Sequence, residues 1–262
     1  MQRESIMPRL SSLVRSLWHP YKVRTNGDTS LLRLIALITM AIDHFGKMCF
    51  PQIPEMRLIG RLAFPLFAYG IATGAVYTKN PTKYLSRIVL MALVCQPLYA
   101  IGLAHENKAM YAVSFFQDPI GAVSAFYLNS WQKPSILLSL ALGLVVILCI
   151  RNRQWVLAIG FYLLCDRMSA KLDYGIEGIR LMLLFYALCE HPKIALIAWA
   201  AYMLAWARGM GYTFLGIRFS MRIFTLPAVL LCAIPMKRRF TLPKWLTYGF
   251  YPAHLIALMI AA

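Results

Sequence analysis

Acidic side chains are scarce in this sequence, with ten Asp and Glu against 27 Lys and Arg in 262 residues. Charged residues of both signs reach only 14%, well below the quarter usual in a soluble chain. Ser/Gly-rich linkers, internal repeats and low-complexity tracts are also missing, so nothing divides the chain into separate globular domains. The six cysteines (Cys49, Cys95, Cys149, Cys165, Cys189 and Cys232) stand singly. No CxxC pair and no Cys/His ligand spacing occurs, which argues against a metal module or a disulfide framework. Small apolar packing groups are a sufficient account of them.

What is present is apolar. Hydrophobic residues make up 60% of the chain and mean hydropathy is +0.61. A single soluble core cannot absorb that much apolar surface; lipid must serve as solvent. Hydropathy marks about nine candidate spans, near 31–50, 58–77, 84–104, 134–150, 154–166, 175–190, 193–207, 222–236 and 245–262. The expected fold is therefore all-α, a polytopic membrane helix bundle over 31–262 behind a basic segment, 1–30. In that segment Leu10, Leu13, Val14, Leu17 and Trp18 recur at helical spacing, with Arg9 and Arg15 off the stripe. This is the pattern of an amphipathic helix lying against anionic lipid headgroups, and it is no signal peptide. The connector 105–133 is rich in aromatics and interrupted by Gln117, Asp118 and Pro119. It reads as an interfacial loop in preference to a tenth, poorly formed span.

The net charge of +17 would point to nucleic acid in a soluble protein. Here, nine spans with the N-terminus inside place most Lys and Arg on the cytoplasmic side, among them Lys79, Lys83, Arg87, Arg151 and Arg238. The bias supports N-in and C-out, so the charge serves orientation and lipid contact. Outer positives such as Lys47, Arg57 and Arg61 exceed what orientation requires.

Four stretches carry chemistry. In "RLIALITMAIDHFGKM", Arg33 and His44 are eleven residues apart and return to nearly the same helix face, roughly 16 Å apart along the axis. Asp43 points about 100° away from His44. It is placed to pair with Lys47 or with an arginine from another helix. A lone histidine in an apolar helix is usually a packing residue; one flanked by Asp43 and sharing a face with Arg33 is a better catalyst candidate. In "RLIGRLAFPLFAYG", Pro65 deprives the carbonyl of Arg61 of its helical donor, so a bend is expected beside a buried arginine. Arg57, one turn earlier, extends that cluster into an anion site or a partner for Asp43. "DYGIEGIRL" spaces Asp173, Glu177 and Arg180 along one helix start, where Glu177 and Arg180 alternatively neutralise each other. "YGFYPAHLIAL" joins Tyr248, Tyr251, Pro252 and His254, a second histidine beside a helix disturbance.

The Arg33 to His44 spacing is similar to the signature of acyltransferase-3-type membrane acyltransferases. More specifically, "IALITMAIDHFGKM", "GRLAFPLFAYGI", "YGIEGIRLMLLFY" and "FYPAHLIAL", in that order, resemble the TraX family of conjugation proteins over residues 31–262. Asp43, His44, Gly60, Arg61, Pro65, Tyr174, Gly175 and His254 fall on matching positions. The resemblance implies N-terminal acetylation of a pilin subunit at the bacterial inner (cytoplasmic) membrane, with acetyl-CoA as donor and no metal. The segment 105–133 departs from the pattern and looks like an insertion.

The chemistry agrees with the residues. Acyl transfer needs a base or nucleophilic imidazole, a stabiliser for the developing oxyanion, and positive charge for a phosphorylated donor. His44 fits the first role and Arg61 or His254 the second, with Asp43 counted in the same catalytic group. Arg33, Lys79, Lys83 and Arg238 fit the third. Arg57, Tyr174, Glu177 and Tyr251 are candidates for holding the acceptor. Three alternatives stay open: O-acetylation of a glycan or lipid, head-to-tail cyclisation of the pilin, and a small proton-coupled transporter using Asp43, Glu177 and the histidines.

Overall fold

The computed structural model describes residues 26–189, 191–214, 216–233 and 241–261. Arg238 and almost all of the expected interfacial helix in 1–30 lie outside the described residues. A 3-10 turn, Asn26–Thr29, leads into α1, Ser30–Met48. Leu32, Ala36, Leu37 and Met40 recur along one face of α1 and are buried, as the helical repeat requires. α2, Pro54–Gly60, starts with proline at its first turn and folds back along α1. Two glycines permit this: a Cβ on Gly46 would lie 2.6 Å from Met56, and one on Gly60 would overlap the side chain of Asp43.

The bend expected at Pro65 is a break. α2 stops at Gly60 and α3 runs Ala63–Tyr77, with the amides of Arg61 and Leu62 bonding three residues back instead of four. Proline's missing N–H and its ring clash make the tighter turn favourable there. α3 is buried on all sides, from Ala63 and Phe64 through Tyr69 to Ala75, and is the axis of the molecule. Around it pack α1, α6 (Ile136–Arg151), α8 (Gly175–Ala187) and α10 (Pro227–Ala233). Arg151 reaches over to donate to the carbonyls of Ala75 and Thr78, at 2.6 and 3.1 Å, satisfying the end of α3.

α4, Pro81–Leu103, shows the opposite character. Leu90, Leu93, Val94 and Ile101 are exposed along it, as on a lipid-facing helix. Its buried exception is Gln96, fully enclosed, whose amide donates to the carbonyls of Ser130 and Lys133 and accepts from the amide of Ser135. α7 (Trp155–Arg167), with Val156 84% exposed, and α9 (Pro192–Trp206) complete the outer layer. α11, Lys244–Ala261, packs on α1 and α4. Among the described residues, two helical stretches are long and apolar enough to cross a membrane: 54–77, containing the break, and α4.

Two expectations are corrected. The connector 105–133 is not a loop: Asp118 caps α5, Pro119–Ser130, by accepting from the amide of Gly121 at 2.8 Å, and Pro119 sits at its first turn. The residues read as interruptions are thus a helix start. Phe116 (98% exposed) and Ile120 (84%) project from this segment. Nor is the fold purely α, because β1 (Arg208–Phe214) and β2 (Ile217–Phe219) form an antiparallel hairpin. Glycines disfavour helix here, and Gly216 turns the chain at φ +76°.

Candidate functional site

α1 and α11 bring two histidines together. Nδ1 of His44 lies 2.8 Å from Nε2 of His254, and Nδ1 of His254 lies 2.8 Å from the carbonyl oxygen of Phe250. The rings stack with centroids 5.0 Å apart. A carbonyl only accepts, so Nδ1 of His254 carries the proton and, in the neutral pair, its Nε2 must accept. Nδ1–H of His44 is then the donor. Nε2 of His44 is left with a lone pair and no proton, which is the state a general base or nucleophile requires. Tyr251, on the turn before His254, stands edge-on to both imidazoles, at 6.3 and 5.5 Å between centroids.

Beside the pair is a ring of polar groups. Asp43 meets Arg57 across the close contact at Gly60, 3.6 Å apart. Lys47 donates to the carbonyl of Leu103 at 2.6 Å. Arg57 and Lys47 are the cations within electrostatic reach of His44. Arg61 is directed elsewhere: it donates to the hydroxyl of Tyr174 at 3.5 Å, and Tyr174 stacks on Phe64 at 3.9 Å. Asp173 keeps solvent-exposed surface although protein crowds it on its other sides. Burial pushes its pKa up, opposed first by Arg61. Glu177 is bound by Arg180 and by the Tyr202 hydroxyl, both at 2.5 Å, and has neither histidine as a partner.

A cavity of about 520 Å³ lies between α1, α3, α4, α6 and α11. Arg33, Lys79 and Lys83 line it, together with Arg87, Asn80, Tyr84 and Tyr248. Lys79 and Lys83 are exposed, whereas Arg33 is half-buried and donates to Thr29 at 2.8 Å. The remaining wall is apolar and includes Leu37, Met40, Phe67, Met91, Leu137 and Tyr251. Neither His44 nor His254 lines it, but Tyr251, which stands edge-on to both, does. Arg87 was legible as the next turn on the Lys83 face, while the role of the Phe250 carbonyl had no signal in the sequence.

Compared with known proteins, the chain matches the family model described as "TraX protein" across residues 28–262. The chain belongs to the TraX family. This TraX member is 26% identical over 254 residues to the "Probable fimbrial assembly protein FimC, serogroup H1" of Dichelobacter nodosus, covering 88% of the chain and 93% of that protein. Over 66 residues it is 38% identical to the uncharacterized protein RP591 of Rickettsia prowazekii (strain Madrid E), a quarter of either chain. No solved structure matches it. The TraX match begins just before α1 and takes in both histidines, the α2–α3 break and the walls of the cavity.

Proposed function

We propose that the protein is an integral-membrane acyltransferase that takes an acetyl group from cytoplasmic acetyl-CoA and places it on the N-terminal amine of a processed pilin subunit. The observation that carries this reading is the cavity: cationic where Arg33, Lys79, Lys83 and Arg87 line it, largely apolar elsewhere, and walled in part by Tyr251, whose ring stands edge-on to that of His44. CoA carries phosphates at one end of a long neutral arm and a thioester at the other, and that order of charge and apolarity suits it. The name of the Dichelobacter nodosus relative supports a fimbrial acceptor. With nine spans and the N-terminus in the cytoplasm, as the distribution of Lys and Arg suggests, the basic side of the cavity would face the donor and the polar cluster of Asp43, Lys47 and Arg57 the outer side.

In the reaction the amine nitrogen attacks the thioester carbon as Nε2 of His44 receives its proton. The C–N bond forms, the C–S bond breaks, and the departing thiolate takes the proton from His44. An α-amine has a reference pKa of about 7.7–8.0, so a neutral fraction is available to a modest base. A sugar hydroxyl demands stronger activation. The test is co-expression of the protein with candidate pilins, followed by intact-mass measurement. An acetyl gain dependent on the enzyme is expected. A water loss favours cyclisation, and an acetylated lipid or polysaccharide with unmodified pilin favours O-acetylation.

A further inference from the structure

Tyr251 is 5% exposed, and its hydroxyl meets no hydrogen-bonding group other than the hydroxyl of Ser135, in marginal geometry. Fully buried Ser135, at the start of α6, likewise has no well-formed partner for its hydroxyl. A buried hydroxyl left under-satisfied typically costs about 1–3 kcal/mol; two together at one place call for a function. The place is the wall of the donor cavity. Tyr251 lines that cavity and touches both imidazoles, and Ile136 and Leu137, next to Ser135, line it too. The neighbouring wall residues Met40 and Met91 are flexible thioethers able to yield to an entering group.

We propose that the Tyr251 hydroxyl, supported by Ser135, is the oxyanion donor of acyl transfer, binding the carbonyl oxygen of the donor thioester. This rests on the acyltransferase reading above. As the amine attacks, the carbonyl π pair moves onto oxygen and the Tyr251 O–H donates a hydrogen bond to it without giving up its proton. The pair returns as the C–S bond breaks. The assignment replaces Arg61, which is engaged with Tyr174. It also supplies a neutral donor suited to a buried site, where an unpaired cation is costly.

The test uses the full-length protein in proteoliposomes with carbonyl-13C acetyl-CoA and a purified pilin. Tyr251→Phe keeps the ring that packs on the histidines and removes only the hydroxyl. Its kcat is expected to fall about 100- to 1000-fold, with donor KM within about twofold. The labelled carbonyl stretch is expected to move to lower frequency on binding to the wild type, and to lose that shift in the variant. Turnover of Tyr251→Phe within about threefold of wild type, or an unshifted carbonyl in wild type, overturns the proposal. Should Tyr251→Phe fail to fold, Ser135→Ala and the wild-type infrared shift decide: a roughly tenfold lower kcat is expected for Ser135→Ala, and full activity counts against the pair. If wild type transfers nothing from acetyl-CoA, it is the acyltransferase reading that fails, and the carbonyl shift still reports on the hydroxyl.

Discussion

His44 owes its free nitrogen to a main-chain carbonyl on another helix. Phe250 fixes the tautomer of His254, and His254 fixes that of His44. The two histidines are therefore unequal, and their substitutions should be too. His44→Ala is expected to lower acetyl transfer at least 100- to 10,000-fold by removing the base, with membrane insertion unchanged. His254→Ala is expected to cost less, because an imidazole at position 44 can still act from a minority tautomer. Equal losses in a steady-state comparison count against that division. On the donor side, Arg33→Ala and Arg87→Ala should raise the KM for acetyl-CoA about tenfold while kcat holds, since a phosphate-positioning charge acts equally in ground and transition states. A falling kcat at constant KM places either arginine at the reacting carbonyl instead.

At the scale of elements, glycine placement and one buried amide set the geometry. Gly60→Ala puts a methyl group where the Asp43 side chain already is. It should push α2 off α1, weaken the Arg57 contact and cost about 1–3 kcal/mol, read as a lower melting temperature in detergent. Gln96→Leu strands the carbonyl of Ser130 and the amide of Ser135 and should destabilise comparably, about 1–3 kcal/mol per orphaned group. An unaltered melt for Gln96→Leu shows that water serves those groups. The helices themselves were legible in the sequence because apolar runs and proline positions act locally: Pro54, Pro81, Pro119 and Pro192 each open a helix. The capped helix at 119–130 was misread because Asp118 and Pro119 break a hydropathy run and start a helix with the same residues. The pairing of His44 with His254 spans 210 positions. Composition pointed to both rings, but only tertiary packing says which nitrogen faces which.

For the whole molecule, orientation decides what each end of the site can meet. Reporters fused after Gln154 should read cytoplasm and those at Asn107 and Gly211 the outer side; two reversed readings dismantle the arrangement. The expectation of an all-helical bundle holds for the bulk of the chain and fails at Arg208–Phe219, where glycines spaced two apart favour a hairpin in a run that composition alone leaves ambiguous. Legibility was lowest for the cavity, since its wall is assembled from five helices far apart in sequence and no local pattern encodes an empty space.

The imidazole pair is reached from the cationic cavity by way of Tyr251, and if donor and acceptor meet it from opposite sides of a membrane the proposed reaction has an electrical consequence. The acetyl group leaves its thiolate as the equivalent of one positive charge moving outward, and the proton that replaces it on sulfur is one positive charge moving inward. The two displacements cancel, neither compartment changes its net charge, and the turnover is electroneutral. Acylation of the pilin would then draw on the thioester alone and not on the energised membrane. In sealed vesicles, a potassium diffusion potential of either sign should leave the extent of transfer unchanged; an extent that follows the potential shows that a further charge crosses with the acetyl group.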